Sequence, residues 1–172
     1  MISKYKIRKI EPKDAEWIKS IHIRYWGGDF VVSRGKVIKI EEFDGGYIAE
    51  QINEKAGLIT CKINGSELEI TGLVSIHEKM GIGTALVNSM VNLAKQKGIK
   101  RVCLVTTNDN LNALGFWQKR GFKIVKIFPN AMEATRKLKP SLPLISENGI
   151  PLRDEIELEM ILNRWKSVIL LN

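Results

Sequence analysis

No window of the 172 residues approaches the roughly 18–20 consecutive apolar residues that a membrane-spanning helix needs. Residues 1–17, MISKYKIRKIEPKDAEW, carry charges throughout and contain no apolar run followed by small residues, which argues against a secretory signal. A soluble cytoplasmic protein is expected. Cysteine and histidine are scarce, with two of each. Cys61 and Cys103 lie in separate apolar runs without a CxxC pair or a Cys/His cluster, so no disulfide framework and no metal site is expected. Both read as reduced core residues. With only His22 and His77 in the chain, nothing places an activating imidazole beside Cys103, as a nucleophilic thiol would require. Also missing is an arginine-rich block. The formal charge of +8 is spread in short groups such as Lys137-Leu-Lys139, and aromatic residues do not alternate with it on one face. A solvated surface with a pocket for an anionic ligand is therefore expected in preference to a nucleic-acid footprint.

The length and a hydrophobic content of 44% fit one domain with a real core. Lys4–Glu11 alternates apolar and polar residues and predicts a strand. Pro12 and Asp14 open a helix that carries Ala15, Ile18, Ile21, His22 and Tyr25 at helical spacing and stops at Gly27-Gly28. Residues 29–43 fit either an extended segment or a loop with a short helix. Three β-rich runs follow, at 45–51, 57–63 and 67–76, joined by turn signals at 53–56 and at Asn64-Gly65-Ser66. After a glycine stretch, Leu86, Met90, Leu93 and Ala94 share one helix face up to Gly98. Residues 101–107 read as a doubly buried strand, 111–120 as a helix, 122–128 as a strand and 131–138 as a helix. A Pro/Gly-rich connection at 140–151 precedes a last alternating strand at 155–162. No repeat and no linker to a second domain is visible. The order is mixed α/β, with a crossover helix between two parallel strands.

The glycine stretch, "HEKMGIGTAL" (77–86), joins a strand to a helix, where backbone N–H groups commonly face a phosphate. A dinucleotide site fits poorly: the third glycine of GxGxxG is Leu86, and Arg101, Val102 and Cys103 stand where the ribose-binding acid belongs. A P-loop is excluded, because Gly-Lys-Ser/Thr is missing. A plain tight turn stays open. The turn and the helix start at Glu78-Lys-Met-Gly81-Ile-Gly83 resemble the acyl-CoA pyrophosphate site of the GNAT superfamily of N-acetyltransferases, whose motif is Arg/Gln-x-x-Gly-x-Gly/Ala. A second block, "NDNLNALGFWQKRGF" (108–122), is similar to the family's Asn-x-x-Ala-x-x-x-Tyr-x-x-x-Gly-Phe, with Asn110, Ala113, Gly121 and Phe122 in register. The resemblance spans about residues 4–162. It implies a single GNAT-like domain over 1–162, built on a mixed, mostly antiparallel central sheet with helices on both faces. Residues 163–172 are expected to form a tail that docks on the core or on a second subunit of a homodimer.

The resemblance further implies acetyl-CoA as co-substrate and direct transfer of its acetyl group to a primary amine of a small molecule or a protein. Met80, Gly81, Ile82, Gly83 and Thr84 would hold the pyrophosphate with their N–H groups at the positive end of a helix. Lys79 would neutralise part of its charge. Leu73, Val74 and Ser75 would bind the pantetheine arm and the acetyl carbonyl where strand 67–76 leaves its neighbour. Gly72 fits a bulge or a close approach there. Asn110, Ala113 and Trp117 complete the cofactor side. Glu69, on the same strand, is the candidate general base, with a solvated face for Glu67 and Glu69 as the plainer reading. The acceptor site would take residues from Arg24, Tyr25, Trp26, Asp29, Tyr47, Glu147 and Asp154, with the Pro-rich 139–154 connection as a wall.

Two positions depart from the family pattern. Glu78 replaces Arg or Gln. Trp117 stands where a tyrosine acts as general acid, and indole does not release a proton near neutral pH. A catalytically silent CoA-binding sensor is therefore the alternative to an enzyme, and a basic nucleic-acid-associated protein a more distant one.

Overall fold

The computed structural model describes residues 5–52, 54–77 and 80–162; Glu78, Lys79 and the tail at 163–172 lie outside them. Strand β1 (Lys6–Lys9) and one 3-10 turn at Pro12–Asp14 lead into α1 (Ala15–Trp26). That helix ends where Gly27, at φ +71°, donates its N–H to Ile23 O. The open segment at 29–43 resolves into both of its options. β2 (Phe30–Ser33) and β3 (Lys36–Lys39) form a hairpin, and one 3-10 turn follows at Ile40–Glu42. The hairpin turns on Arg34 and Gly35, both at positive φ, which matches the twist of a two-residue connection.

β4 (Gly45–Gln51), β5 (Glu54–Asn64) and β6 (Glu67–Ser75) form the antiparallel meander. The expected turn at 53–56 is corrected. Glu54 already pairs with Gln51, and Ile52 takes the left-handed conformation at φ +42°. Next come α2 (Ile82–Gln96), β7 (Arg101–Thr107), α3 (Leu111–Gln118), β8 (Lys123–Phe128), α4 (Ala131–Leu138) and β9 (Glu155–Ile161). The main sheet runs β1-β4-β5-β6-β7-β9-β8, and the only parallel pair among the described strands is β6–β7, the two joined by α2.

Alternation along the strands separates two layers. Leu68, Ile70, Val102, Leu104 and Leu158 pack with Leu86, Met90 and Ala94 of α2 and Trp117 of α3. On the opposite face, Ile48, Leu58 and Val74 pack against Ile18 and Ile21 of α1. The β2–β3 hairpin also covers this face, because Arg34 at its tip reaches Glu69 and Glu157.

Candidate active site

The parallel pairing of β6 with β7 stops at Ile70↔Leu104, although β6 continues to Ser75 and β7 to Thr107. A register shift lies next to this point: Thr60 pairs with Gly72 and Cys61 with Ile70, so Thr71 is the extra residue of a β-bulge. The bulge bends β6 away and opens a gap in the sheet. Ile76 donates its N–H to Ala56 O, so by strand alternation Val74 and Gly72 also face β5. Leu73 and Ser75 therefore turn their N–H groups toward the gap. Gly72 is needed there for a close approach: a Cβ would lie 3.0 Å from Trp26 Cη2 and 3.2 Å from His22 Cε1.

One cleft of about 330 Å³ opens on the α2/α3 side of the gap, and a second of about 390 Å³ on the α1/α4 side. They share Trp26, Ile70, Thr71, Val105, Thr106 and Asn110 as walls. A ligand entering from one face of the sheet can thus meet one entering from the other.

On the α2/α3 side, Leu73, Ser75, Gly83, Asn110, Ala113 and Trp117 line the cleft. Val74 does not; its side chain packs under α1. Gly81 is the N-cap of α2 at φ +77°, and the amides that follow it point off the helix start. Ile82 is buried in the core and Met80 packs against it, so of these two only the backbone faces outward. Thr84 Oγ1 accepts from Arg120. Asn110 caps α3, its Oδ1 accepting from Ala113 N at 3.1 Å. Trp117 is buried edge-on to Phe116 and Phe122.

The α1/α4 side is acidic. Glu69 is 4% exposed, and both of its oxygens are engaged, by Ser33 Oγ and by Arg34 Nη2, each at 2.5 Å. The expected solvated face is therefore covered. Glu155, which sequence reasoning missed, also lines this cleft at 3% exposure. Its Oε2 accepts from the Arg34 N–H at 2.9 Å, and its other oxygen has no partner among the described residues. Burial pushes the Glu155 carboxyl up. Arg101 ties Glu67, Glu157 and Glu159 together behind this wall. Burial raises the Glu67 carboxyl, but the Arg101 hydrogen bond and charge outweigh it and hold the group below its ordinary value. The opposite wall holds Lys139, whose Nζ donates to Trp26 O at 2.6 Å and Phe30 O at 2.8 Å, and whose pKa burial lowers.

Tyr25 and Trp26, two of the acceptor candidates, line this cleft. Other candidates stand elsewhere. Asp154 is tied to Arg153 and to the Asn130 N–H ahead of α4. Tyr47 packs against the α2-side core, Asp29 pairs with Lys19, and Glu147 lies in the turn between Ile145 and Pro151. The two cysteines are buried free thiols, and burial pushes Cys61 up to about 12. Among the described residues, no group of three or more His, Cys, Asp or Glu could hold a metal ion. Nor is any of their helices long and apolar enough to cross a membrane.

The family model described as "Acetyltransferase (GNAT) family" matches residues 15–122, which run from the start of α1 through the end of the α3 block. The chain belongs to this family. Among its relatives, the uncharacterized protein YdhI of Bacillus subtilis is 42% identical over 133 residues, 77% of this chain and 83% of that protein. The uncharacterized N-acetyltransferase MJ1207 of Methanocaldococcus jannaschii is 25% identical over 157 residues, 80% of this chain and 69% of its own length. A Bacillus subtilis acetyltransferase solved in complex with CoA superposes with a TM-score of 0.70 at 24% identity, over 93% of this chain and 100% of that one. A GNAT family acetyltransferase from Elizabethkingia anophelis with acetyl-CoA bound gives 0.68 at 24%, over 92% and 99%.

Proposed function

We propose that the protein is an N-acetyltransferase that moves an acetyl group from acetyl-CoA to the primary amine of a small cationic molecule, by direct transfer in a ternary complex. The observation that carries this reading is the pair of clefts sharing walls across the β6–β7 gap, one beside a glycine-capped helix start and one lined by buried carboxylates. The N–H groups from Gly81 to Thr84 cradle the donor's pyrophosphate without needing a charged side chain. The free Leu73 N–H donates to the thioester oxygen and stabilises the charge that builds there as the amine attacks.

Glu69 and Glu155 receive the cationic acceptor. Glu69, the base expected from the sequence, is held by Ser33 and Arg34 and acts through water or as a fixed negative charge. Glu155 has a free oxygen and a raised pKa, so it takes the ammonium proton. The amine nitrogen then bonds the acetyl carbon, the C–S bond breaks, CoA leaves as the thiolate, since Trp117 has no proton to give, and the second proton of the attacking nitrogen passes to solvent. A cleft of about 390 Å³ suits a small amine better than a folded protein surface. The competing reading is a silent CoA-binding sensor, favoured by Trp117 alone. Incubation with acetyl-CoA and a panel of amines, following free thiol and the acetylated product by mass, separates the two. Amine-dependent thiol release is expected. Tight CoA binding with no turnover on any amine selects the sensor.

A further inference from the structure

The described residues at the glycine turn, Met80-Gly-Ile-Gly-Thr84, bring no cation to the phosphate cradle. One reaches it from α3. Arg120, just beyond that helix, turns back across the start of α2: its Nη2 donates to Thr84 Oγ1 and its Nη1 to Phe116 O at 2.7 Å. The guanidinium lies 3.4 Å over the Phe116 ring, and that ring lies 3.3 Å from where a Gly83 Cβ would stand. Two of the five guanidinium N–H groups are thereby used. Among the described residues the Nε–H is buried without a partner and no carboxylate pairs with Arg120. Burial lowers its pKa. A partly buried cation at the positive end of a helix, with no counter-ion among the described residues, gains from an anion that joins it.

We infer that Arg120 is a phosphate ligand of the CoA donor, closing over the group that the 81–84 amides cradle. The Phe116 ring fixes the plane of the fork, and the remaining N–H groups point the charge at a phosphate oxygen. This inference rests on acetyl-CoA being the donor, as proposed above.

Calorimetric titration of the unaltered protein, Arg120→Ala and Arg120→Gln tests it, with CoA, dephospho-CoA and phosphate-free pantetheine as ligands. Arg120→Gln keeps an amide donor for Phe116 O without the charge, and melting temperatures identify any variant that fails to fold. Roughly tenfold to hundredfold weaker binding of CoA is expected in both variants, the scale of losing charge-assisted hydrogen bonds. Pantetheine binding should be unaffected. An equal loss for dephospho-CoA assigns Arg120 to the diphosphate, and a loss confined to CoA assigns it to the 3′-phosphate; both support the inference. CoA affinity unchanged in folded variants, or an equal loss for pantetheine, overturns it. If the unaltered protein binds no CoA, the donor reading falls with it.

Discussion

His22 is fully buried, its ring centroid 4.5 Å from that of Trp26 and 5.1 Å from that of Phe43. Neither ring nitrogen has a partner among the described residues, and burial together with the Lys139 charge lowers the imidazole pKa to about 4. The folded state therefore binds fewer protons than the unfolded chain between pH 6.5 and about 4, so stability falls as pH falls through that window. The loss reaches roughly 3 kcal/mol near pH 4. Denaturant titrations of His22→Phe between pH 7 and 4.5 should show a shallower acid loss than the unaltered protein; parallel curves would show that His22 does not set it. Glu155 has the opposite sign. Its raised pKa means that ionisation in place is unfavourable, so its contribution to stability declines as pH rises from the ordinary carboxyl value through the raised one. With Glu155 as the proposed proton acceptor, acetyl transfer is expected to need the ionised form and to rise over the same interval. Glu155→Gln should lower kcat by about 10²–10⁴-fold and remove the acidic limb of the pH–rate profile while leaving the melting temperature equal or higher above neutrality. A variant that keeps the limb would move the proton acceptor elsewhere.

At the scale of elements, the start of α2 carries most of the weight. Gly81 sits at φ +77°, where a β-branched residue is strained, and a Cβ there would also come 3.5 Å from Tyr5 Oη. Gly81→Val should abolish measurable CoA binding, as read by calorimetry; retained affinity would show that the turn does not form the cradle. The long periodic elements could be read in the sequence: Leu86, Met90 and Ala94 mark the buried stripe of α2, and the apolar run at 101–107 lies inside the sheet. Turns that lack their usual residues could not. Ile52 and Arg34 take positive φ although neither is itself a glycine or asparagine, which misplaced the start of β5 and left the hairpin at 29–43 undecided. The glycine turn before α2 and the Asn110 cap of α3 were legible because glycines and caps are local devices. The buried carboxylates on the other face were not. Alternation in "EIELEMI" puts Glu155, Glu157 and Glu159 on one face, but only Arg34, 121 residues earlier in sequence than Glu155, shows that this face is covered. Lys139 belonged to an apparent surface pair, yet its Nζ is tied to two backbone carbonyls.

For the molecule as a whole, the sheet is both scaffold and partition. α2 and α3 flank one face, α1 and the β2–β3 hairpin cover the other, and the gap beyond Ile70 and Leu104 is where the two sides communicate. The direct transfer proposed above brings donor and acceptor together in the gap, one from each face, without a covalent acetyl-enzyme; Cys61 and Cys103 are buried thiols with raised pKa values. The most direct measurement is the initial rate of thiol release over a grid of acetyl-CoA and cationic amine concentrations. Double-reciprocal lines that intersect are expected, because direct transfer requires both substrates to be bound first. Parallel lines, or thiol release that does not depend on the amine, would contradict it.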